Sequence, residues 1–240
     1  IAAFAPLFYG SVLGQQGWNF AFFFIAILAL IALAILNRTP GTDPSASLSS
    51  KIEDYSELFR APGLWMTFVY VFCTYGSITY YLFQLPVWLS DNDVAAASVG
   101  LVLSIMWLTF SGLSTLLRNM VDGAHLRTLM VAAPVLIAMG LPLSYYDNNF
   151  LLLVISSALV GSGLACSNAP STQMILRFAP KGMSGISSSL DITFARIGGI
   201  ATVAILAETT IAYAATAIGI SCVIATFCAL MACRRLAGDM

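Results

Sequence analysis

Charged residues are scarce in this chain, because only 9% of its 240 residues are Asp, Glu, Lys or Arg. Soluble globular domains carry roughly 25% charge, so the sequence has too little polar surface for an ordinary soluble domain. Hydrophobic residues make up 59% of the chain, and the formal net charge is −1. The few basic residues are spread over several turns, which argues against nucleic acid as a partner. The composition predicts an all-α, polytopic helix bundle with the lipid bilayer as its surroundings.

The chain also lacks the residue patterns of metal, disulfide and catalytic sites. It has one histidine, His125, in a polar turn, and five cysteines that all fall in apolar segments without C-x-x-C spacing. Cysteines in such segments are typical small apolar packing residues. The sequence has no HExxH, paired-carboxylate, Ser/His/Asp or P-loop pattern. We therefore expect no cofactor and no metal, and a membrane enzyme is the least favoured class of function.

Long apolar runs divide the chain into membrane-crossing segments, since a helix needs roughly 20 residues to cross the bilayer core. Residues 1–14 are too short to cross and are interpreted as the end of a helix that begins upstream. Residues 18–36 predict one complete span, and the hydrophilic residues 37–61 predict a linker with a short surface helix. Six more spans are predicted over residues 62–89, 95–117, 126–146, 150–176, 183–207 and 211–233.

The basic residues predict the orientation of these spans. Nine of the ten fall in alternate turns: Arg38, Lys51, Arg60, Arg118, Arg127, Arg177, Lys181, Arg234 and Arg235. The other set of turns, around residues 15, 91–93, 147–149 and 208, contains no Lys or Arg. By the positive-inside rule, the linker and the C-terminus are predicted to be cytoplasmic in a plasma (bacterial inner) membrane.

The predicted span over residues 183–207 carries two charges, Asp191 and Arg196. Charges at bilayer depth are expensive, so they mark a solute or ion pathway by default. Five residues turn about 140° around a helix, and we therefore expect the two side chains to face different neighbouring helices. Asp191 is the only acid well inside a predicted span, which makes it the candidate for proton coupling. The alternative is that both charges only lock helix packing.

The order of segments resembles the second half of a major facilitator superfamily transporter. The resemblance implies a six-helix C-terminal half over residues 62–240, preceded by the end of an N-terminal half over residues 1–36, with a cytoplasmic linker between them. APLFYG is similar to the end of the family's antiporter motif, where Pro6 and Gly10 match. In the loop from Arg118 to Arg127, Asp122 and Arg127 match the family's G-x-x-x-D-R-x-G-x-R pattern, which implies a gating role. The missing N-terminal half is then a partner of this chain.

The last two long motifs, GSGLACSNAPSTQ and ISSSLDITFARIGGIA, most resemble the multidrug/proton antiporter branch, whose penultimate helix carries an Arg shortly before Gly-Gly. Transporters of this superfamily bind substrate near the midplane, where Gly and Pro interrupt helices. Asn168, beside Pro170, is one candidate for the substrate cavity, with plain small-residue packing as the alternative. Tyr75 and Gln84 are candidates on the first of the six spans, and Arg196 is the fourth. An interfacial aromatic belt is the alternative for Tyr81 and Trp88 of the first span.

The sequence favours a proton-coupled secondary transporter that exports small organic or drug-like compounds. Aromatic rings with polar tips suit amphipathic or cationic solutes, through stacking and cation–π contacts. Two alternatives remain open: a major facilitator importer of a small metabolite, and a membrane subunit that transports nothing and needs a partner half. The expected partners are a small-molecule substrate, protons and the lipid bilayer.

The predicted orientation is testable by cysteine labelling in a variant whose native cysteines are replaced. With a membrane-impermeant maleimide, we expect Asp93→Cys to be labelled in intact cells and Lys181→Cys only after permeabilisation, because basic turns stay on the cytoplasmic side. The reverse labelling pattern would contradict the orientation, and labelling of both positions in intact cells would contradict the number of spans between them.

Overall fold

A computed structural model describes residues 56–121, 125–146 and 149–238, together with the helical residues 23, 26, 27, 30, 31, 33 and 34. The predictions for residues 1–14 and 37–55, including Pro6 and Gly10, lie outside the described residues, and so does Asp122. The predicted span over residues 18–36 is described only at those seven positions. Within the described part, every regular element is a helix. The predicted fold class, an all-α membrane helix bundle, is confirmed.

Six long helices follow a short helix, Ser56–Arg60. We number them α1 Pro62–Asp91, α2 Ala96–Leu117, α3 Leu126–Tyr146, α4 Phe150–Phe178, α5 Ser184–Leu206 and α6 Ile211–Gly238. A single 3₁₀ turn, Arg118–Met120, extends α2. The helices begin and end close to the bounds predicted from hydropathy, except that α6 continues for more than a turn beyond its predicted end. Helices α2 to α6 are long and apolar enough to cross a membrane by length and composition.

Helix α1 is the longest and the most central of the six long helices. It contacts each of the other five long helices. Its polar side chains Thr67, Thr74 and Ser77 are fully buried, as are the bulky Tyr80 and Tyr81. A polar group surrounded by hydrocarbon has no hydrogen-bond partner, so a helix with many hydroxyls is better placed among other helices than against lipid.

A hydrogen-bond network shows how α1 is held. The Tyr81 hydroxyl lies 2.8 Å from the Ser157 hydroxyl and 3.1 Å from the Ser156 hydroxyl, both on α4. Ser156 donates in turn to the backbone carbonyl of Gly140 on α3, over 2.7 Å. Three helices are thus joined through side chains that lie in the core. Tyr81 is therefore a core residue, and the alternative of an interfacial belt is wrong for it.

Glycines allow two helix pairs to pack with their backbones in contact. A Cβ atom added at Gly198 on α5 would overlap the backbone carbonyl of Phe72 on α1, and one at Gly76 would meet Gly198 and Thr202. A Cβ at Gly161 on α4 would overlap the carbonyl of Met106 on α2. Small residues let helices approach this closely in membranes, where dispersion forces replace the hydrophobic effect between them.

Apolar clusters fill the bundle, and the two largest lie one toward each end. One cluster includes Leu85 of α1 and Leu141 of α3. The other includes Phe68 of α1 and Met174 of α4. Tyr75 packs against both clusters. The middle of the bundle, at the level of Tyr75, is therefore the level at which polar side chains meet.

The crossing of α1 and α5 is tested by Gly198→Ala. We expect a loss of about 1–3 kcal/mol in the free energy of unfolding, because the added methyl group overlaps a backbone carbonyl that cannot move alone. Denaturant titration of the purified protein in detergent measures this loss.

The control is Gly219→Ala on α6, where nothing lies within 4 Å of the added Cβ. The control is expected to be neutral or to stabilise by up to about 1 kcal/mol, since Ala favours helix. Equal effects of the two substitutions would contradict the close crossing.

Candidate functional site

A cavity of about 310 Å³ lies between α1, α2, α4 and α5. This volume is at the small end of the range of ligand pockets, roughly 300–1,000 Å³. Its apolar wall includes Leu82 of α1, Trp107 of α2 and Ile192 of α5. Its polar groups come from three helices: Tyr75, Thr79, Asn168, Thr172, Asp191 and Arg196. The cavity therefore combines an acid, a guanidinium, an amide, hydroxyls and an indole ring.

Four of the five cavity and coupling candidates predicted from the sequence line this one cavity. They are Tyr75, Asn168, Asp191 and Arg196, which come from three different helices. The fifth, Gln84, is half-buried on α1 and does not line it. Gln84 lies nine residues beyond Tyr75, roughly 13 Å along the helix axis at 1.5 Å per residue. The structure thus assembles the candidate site without Gln84, while the binding roles of the four residues stay predictions.

Tyr75 and Asn168 join α1 to α4 at the cavity. The Tyr75 hydroxyl donates a hydrogen bond of 2.6 Å to the side-chain oxygen Oδ1 of Asn168. Tyr75 is half-buried, whereas Asn168 is exposed. Because Oδ1 accepts from Tyr75, the amide NH₂ group of Asn168 is left to donate elsewhere. The pair therefore fixes the orientation of an amide whose donors are available to a solute.

The small residues around Pro170 divide into two groups. Gly161 and Gly163 are buried, and added Cβ atoms there would meet α2 and α3 respectively. Asn168 and Ala169 are exposed on the same helix. Both interpretations of this run are thus realised at different positions along α4: close packing at Gly161 and Gly163, and a cavity wall at Asn168.

Asp191 and Arg196 line the same cavity from opposite sides of α5. We expected them to face different neighbouring helices because of their helical phase, but both border one cavity. Thr172 on α4 is the hydrogen-bond partner of the Asp191 carboxylate, at 3.2 Å. The cavity is wide enough to reach both flanks, since Ile192 and Ala195, which also line it, occupy the arc between the two charges. Asp191 is half-buried and Arg196 is exposed. Opposite charges therefore border one space at two separate positions.

Sequence reasoning missed three polar or aromatic residues of the site: Thr79, Trp107 and Thr172. The Thr172 hydroxyl lies 3.2 Å from the Asp191 carboxylate and 3.2 Å from the backbone carbonyl of Asn168. The signal in the sequence was its spacing of four residues from Asn168, which places both side chains on one face of a helix. A threonine in a helix often satisfies itself on the preceding turn, so its hydroxyl did not indicate a site.

The residues predicted to form a gate are only partly described. Arg127 is exposed near the start of α3 and borders a shallow groove with Val131 and Leu230. His125, in the turn before α3, is exposed as expected for a solvated loop residue. The gating role of Arg127 stays a prediction, since Asp122 lies outside the described residues.

Comparison with protein families places this geometry in context. The family model described as Major Facilitator Superfamily matches residues 1–203, a range that extends through most of α5 and includes every residue of the cavity. No curated protein and no solved structure gives a significant match.

A double-mutant cycle tests the link between α1 and α4. For Tyr75→Phe and Asn168→Ala we expect a coupling of about 0.5–1.5 kcal/mol in the free energy of unfolding, the net contribution of one hydrogen bond. The control cycle pairs Asn168→Ala with Tyr213→Phe, whose hydroxyl is on an exposed residue of α6. We expect no coupling in the control. Additive effects of Tyr75→Phe and Asn168→Ala would show that the hydrogen bond does not form.

Proposed function

Because the chain belongs to the major facilitator superfamily, a family of secondary transporters, we propose that it is the C-terminal part of a proton-coupled exporter of small organic compounds. The observation that carries this proposal is the assembly of Tyr75, Asn168, Asp191 and Arg196 around one cavity at the middle of the bundle. Substrates of secondary transporters bind near the bilayer midplane, between helices interrupted by Gly or Pro. Pro170 lies two residues beyond Asn168 inside α4.

In this proposal Asp191 is the acid that binds and releases the coupled proton. Intramembrane acids mark proton relays in pumps and transporters. Asp91, Asp93 and Glu208 are exposed at helix ends or in turns, whereas Asp191 is half-buried within α5. A carboxyl group that borders the cavity also contacts any cationic solute bound there. The proton and the solute then both bind at the Asp191 carboxyl group, and coupling requires such a shared group.

The substrate in this proposal is an amphipathic or cationic organic molecule. Trp107 and Tyr75 offer aromatic faces, and cations bind such faces by cation–π attraction. The Asn168 amide supplies hydrogen-bond donors that fix the orientation of the solute. Apolar Leu82 and Ile192 suit the uncharged part of such a molecule.

One observation favours an alternative function, the import of a small anionic metabolite. The Arg196 guanidinium is exposed and borders the same cavity, and guanidinium groups bind carboxylates and phosphates with two parallel hydrogen bonds. Both functions need the N-terminal half as a partner. In either case we place that half against the exposed apolar side chains of α5, which include Ile192, Ile200 and Ile205.

The proposal is tested by dye accumulation in cells that express the complete protein. We expect the protein to lower the accumulation of a fluorescent organic cation, and a protonophore to abolish this effect. Asp191→Asn is expected to reduce proton-coupled efflux by roughly tenfold or more, which corresponds to about 1.4 kcal/mol or more of lost stabilisation. The matched control is Glu208→Gln, an exposed acid outside the cavity, which is expected to keep normal efflux.

The possible outcomes separate the functions. Unchanged proton-coupled efflux in Asp191→Asn would contradict the coupling role of Asp191. Uptake of small anions that depends on Arg196, without efflux of cations, would favour the importer. No protein-dependent movement of any solute would favour a membrane subunit that does not transport.

A further inference from the structure

The Thr172 hydroxyl lies between two acceptors on different helices. The Asp191 carboxylate oxygen Oδ2, on α5, and the backbone oxygen of Asn168, one turn earlier on α4, are each 3.2 Å from Thr172 Oγ1. A threonine hydroxyl has one proton to donate and two lone pairs with which to accept. Its single proton can therefore be donated to either of two acceptors that lie at equal distance.

The charge state of Asp191 determines which of the two acceptors receives the hydrogen bond from Thr172. An ionised carboxylate is acceptor-only, and a hydrogen bond to an ionised group is roughly twice as strong as one between neutral groups. Thr172 then donates to Asp191. A protonated carboxyl has its own O–H, which donates to Thr172 Oγ1, and the Thr172 proton is then free to point at the Asn168 carbonyl. We propose that Thr172 is a positioning residue that links the charge of Asp191 to the hydrogen bonding of the α4 backbone at Asn168.

The alternative hydrogen bond affects the shape of α4. A Ser or Thr hydroxyl that donates to the carbonyl four residues earlier slightly destabilises a helix and often bends it. In α4 this bond ends at Asn168, two residues before Pro170, where the ring already removes one backbone hydrogen bond. The side chain of Asn168 also accepts the hydrogen bond from Tyr75 of α1. Neutralising Asp191 on α5 thus changes α4 at the residue that contacts α1.

The other charged and titratable groups around Asp191 are few. Among the described residues that line the cavity, α1 contributes Tyr75 and α5 contributes Arg196, while the lining residues of α2 and α4 are not titratable in the usual pH range. The Tyr75 hydroxyl is already committed to Asn168. The hydrogen-bond partner of Asp191 is the Thr172 hydroxyl, so a change in the charge of Asp191 acts first on Thr172.

This inference rests on the proposed role of Asp191 as an acid that changes charge, but its test needs no substrate. Hydrogen–deuterium exchange of the complete protein in lipid nanodiscs, at alkaline pH, reports the stability of the α4 backbone. Asp191→Leu removes the competing acceptor and leaves the Asn168 carbonyl to Thr172. We expect the amides around Thr172 to exchange about fivefold faster in this variant, a change equivalent to roughly 1 kcal/mol.

Thr172→Val removes the hydroxyl at similar volume. In the Thr172→Val background we expect Asp191→Leu to leave the exchange of the α4 amides unchanged. In the Thr172→Ser background, which keeps a hydroxyl, we expect Asp191→Leu to accelerate this exchange as it does in the otherwise unaltered protein. The matched control is Thr226→Val on α6, because Thr226 donates over 2.8 Å to the carbonyl four residues earlier, with no acid among its hydrogen-bond partners. The effect of Asp191→Leu is expected to persist in that background.

Two results would overturn the inference: an effect of Asp191→Leu that survives in Thr172→Val, or the absence of any effect on α4 in the otherwise unaltered protein. The same samples separate this inference from the proposed function. Absent proton-coupled transport, together with the expected exchange pattern, would reject the function and leave the link between Asp191, Thr172 and α4 in place.

Discussion

A hydroxyl, amide or charge is costly to expose to lipid, and the placement of the helices in this bundle follows from that constraint. The helix richest in hydroxyls, α1, is surrounded by the other five. The Tyr81, Ser156 and Gly140 network then joins three helices by side chains that have no alternative partner in lipid. Helices with fewer polar groups, such as α6, expose large apolar side chains, Ile220, Val223 and Phe227 among them.

The cavity is the second consequence of the same constraint. Apolar clusters close the bundle toward both ends, and Tyr75 lies where they meet. At this level, polar groups of α4 and α5 contact each other, Tyr75 and the cavity. Thr172 contacts Asp191, and Asn168 contacts Tyr75. The result is a layer of polar side chains. Some of their hydrogen-bonding groups are paired within the protein, and others face the cavity, where a solute can bind them.

Hydropathy predicted the helices well because it is a property of whole segments. The bounds of α1 to α5 follow from apolar runs that end in polar turns, and tertiary contacts shift them little. Asn168, Asp191 and Arg196 were recognisable because a strongly polar side chain within an apolar run has to face protein or a water-filled cavity rather than lipid. Gln84 satisfied the same rule but lies far along α1 from the cavity. The spacing of Thr172 from Asn168 was too weak a signal to indicate a site, since a helical threonine can satisfy its own hydroxyl on the preceding turn. Which of these side chains share one space depends on how the helices cross, and a single sequence does not specify that.

The glycine crossing of α1 and α5 has a consequence for how such a site changes over evolutionary time. Gly198 and Gly199 follow Arg196 within one turn, and the backbone of α1 leaves no room for a side chain at Gly198. The wall that carries the two charges is thereby tied to a contact in which almost every substitution is harmful. The opposite wall is constrained in the same way, because Gly161 on α4 leaves no room for a side chain beside the carbonyl of Met106 on α2, next to Trp107. We expect relatives of this protein to keep a small residue at both crossings, and to diverge in the molecules they recognise by replacing side chains that line the cavity between them.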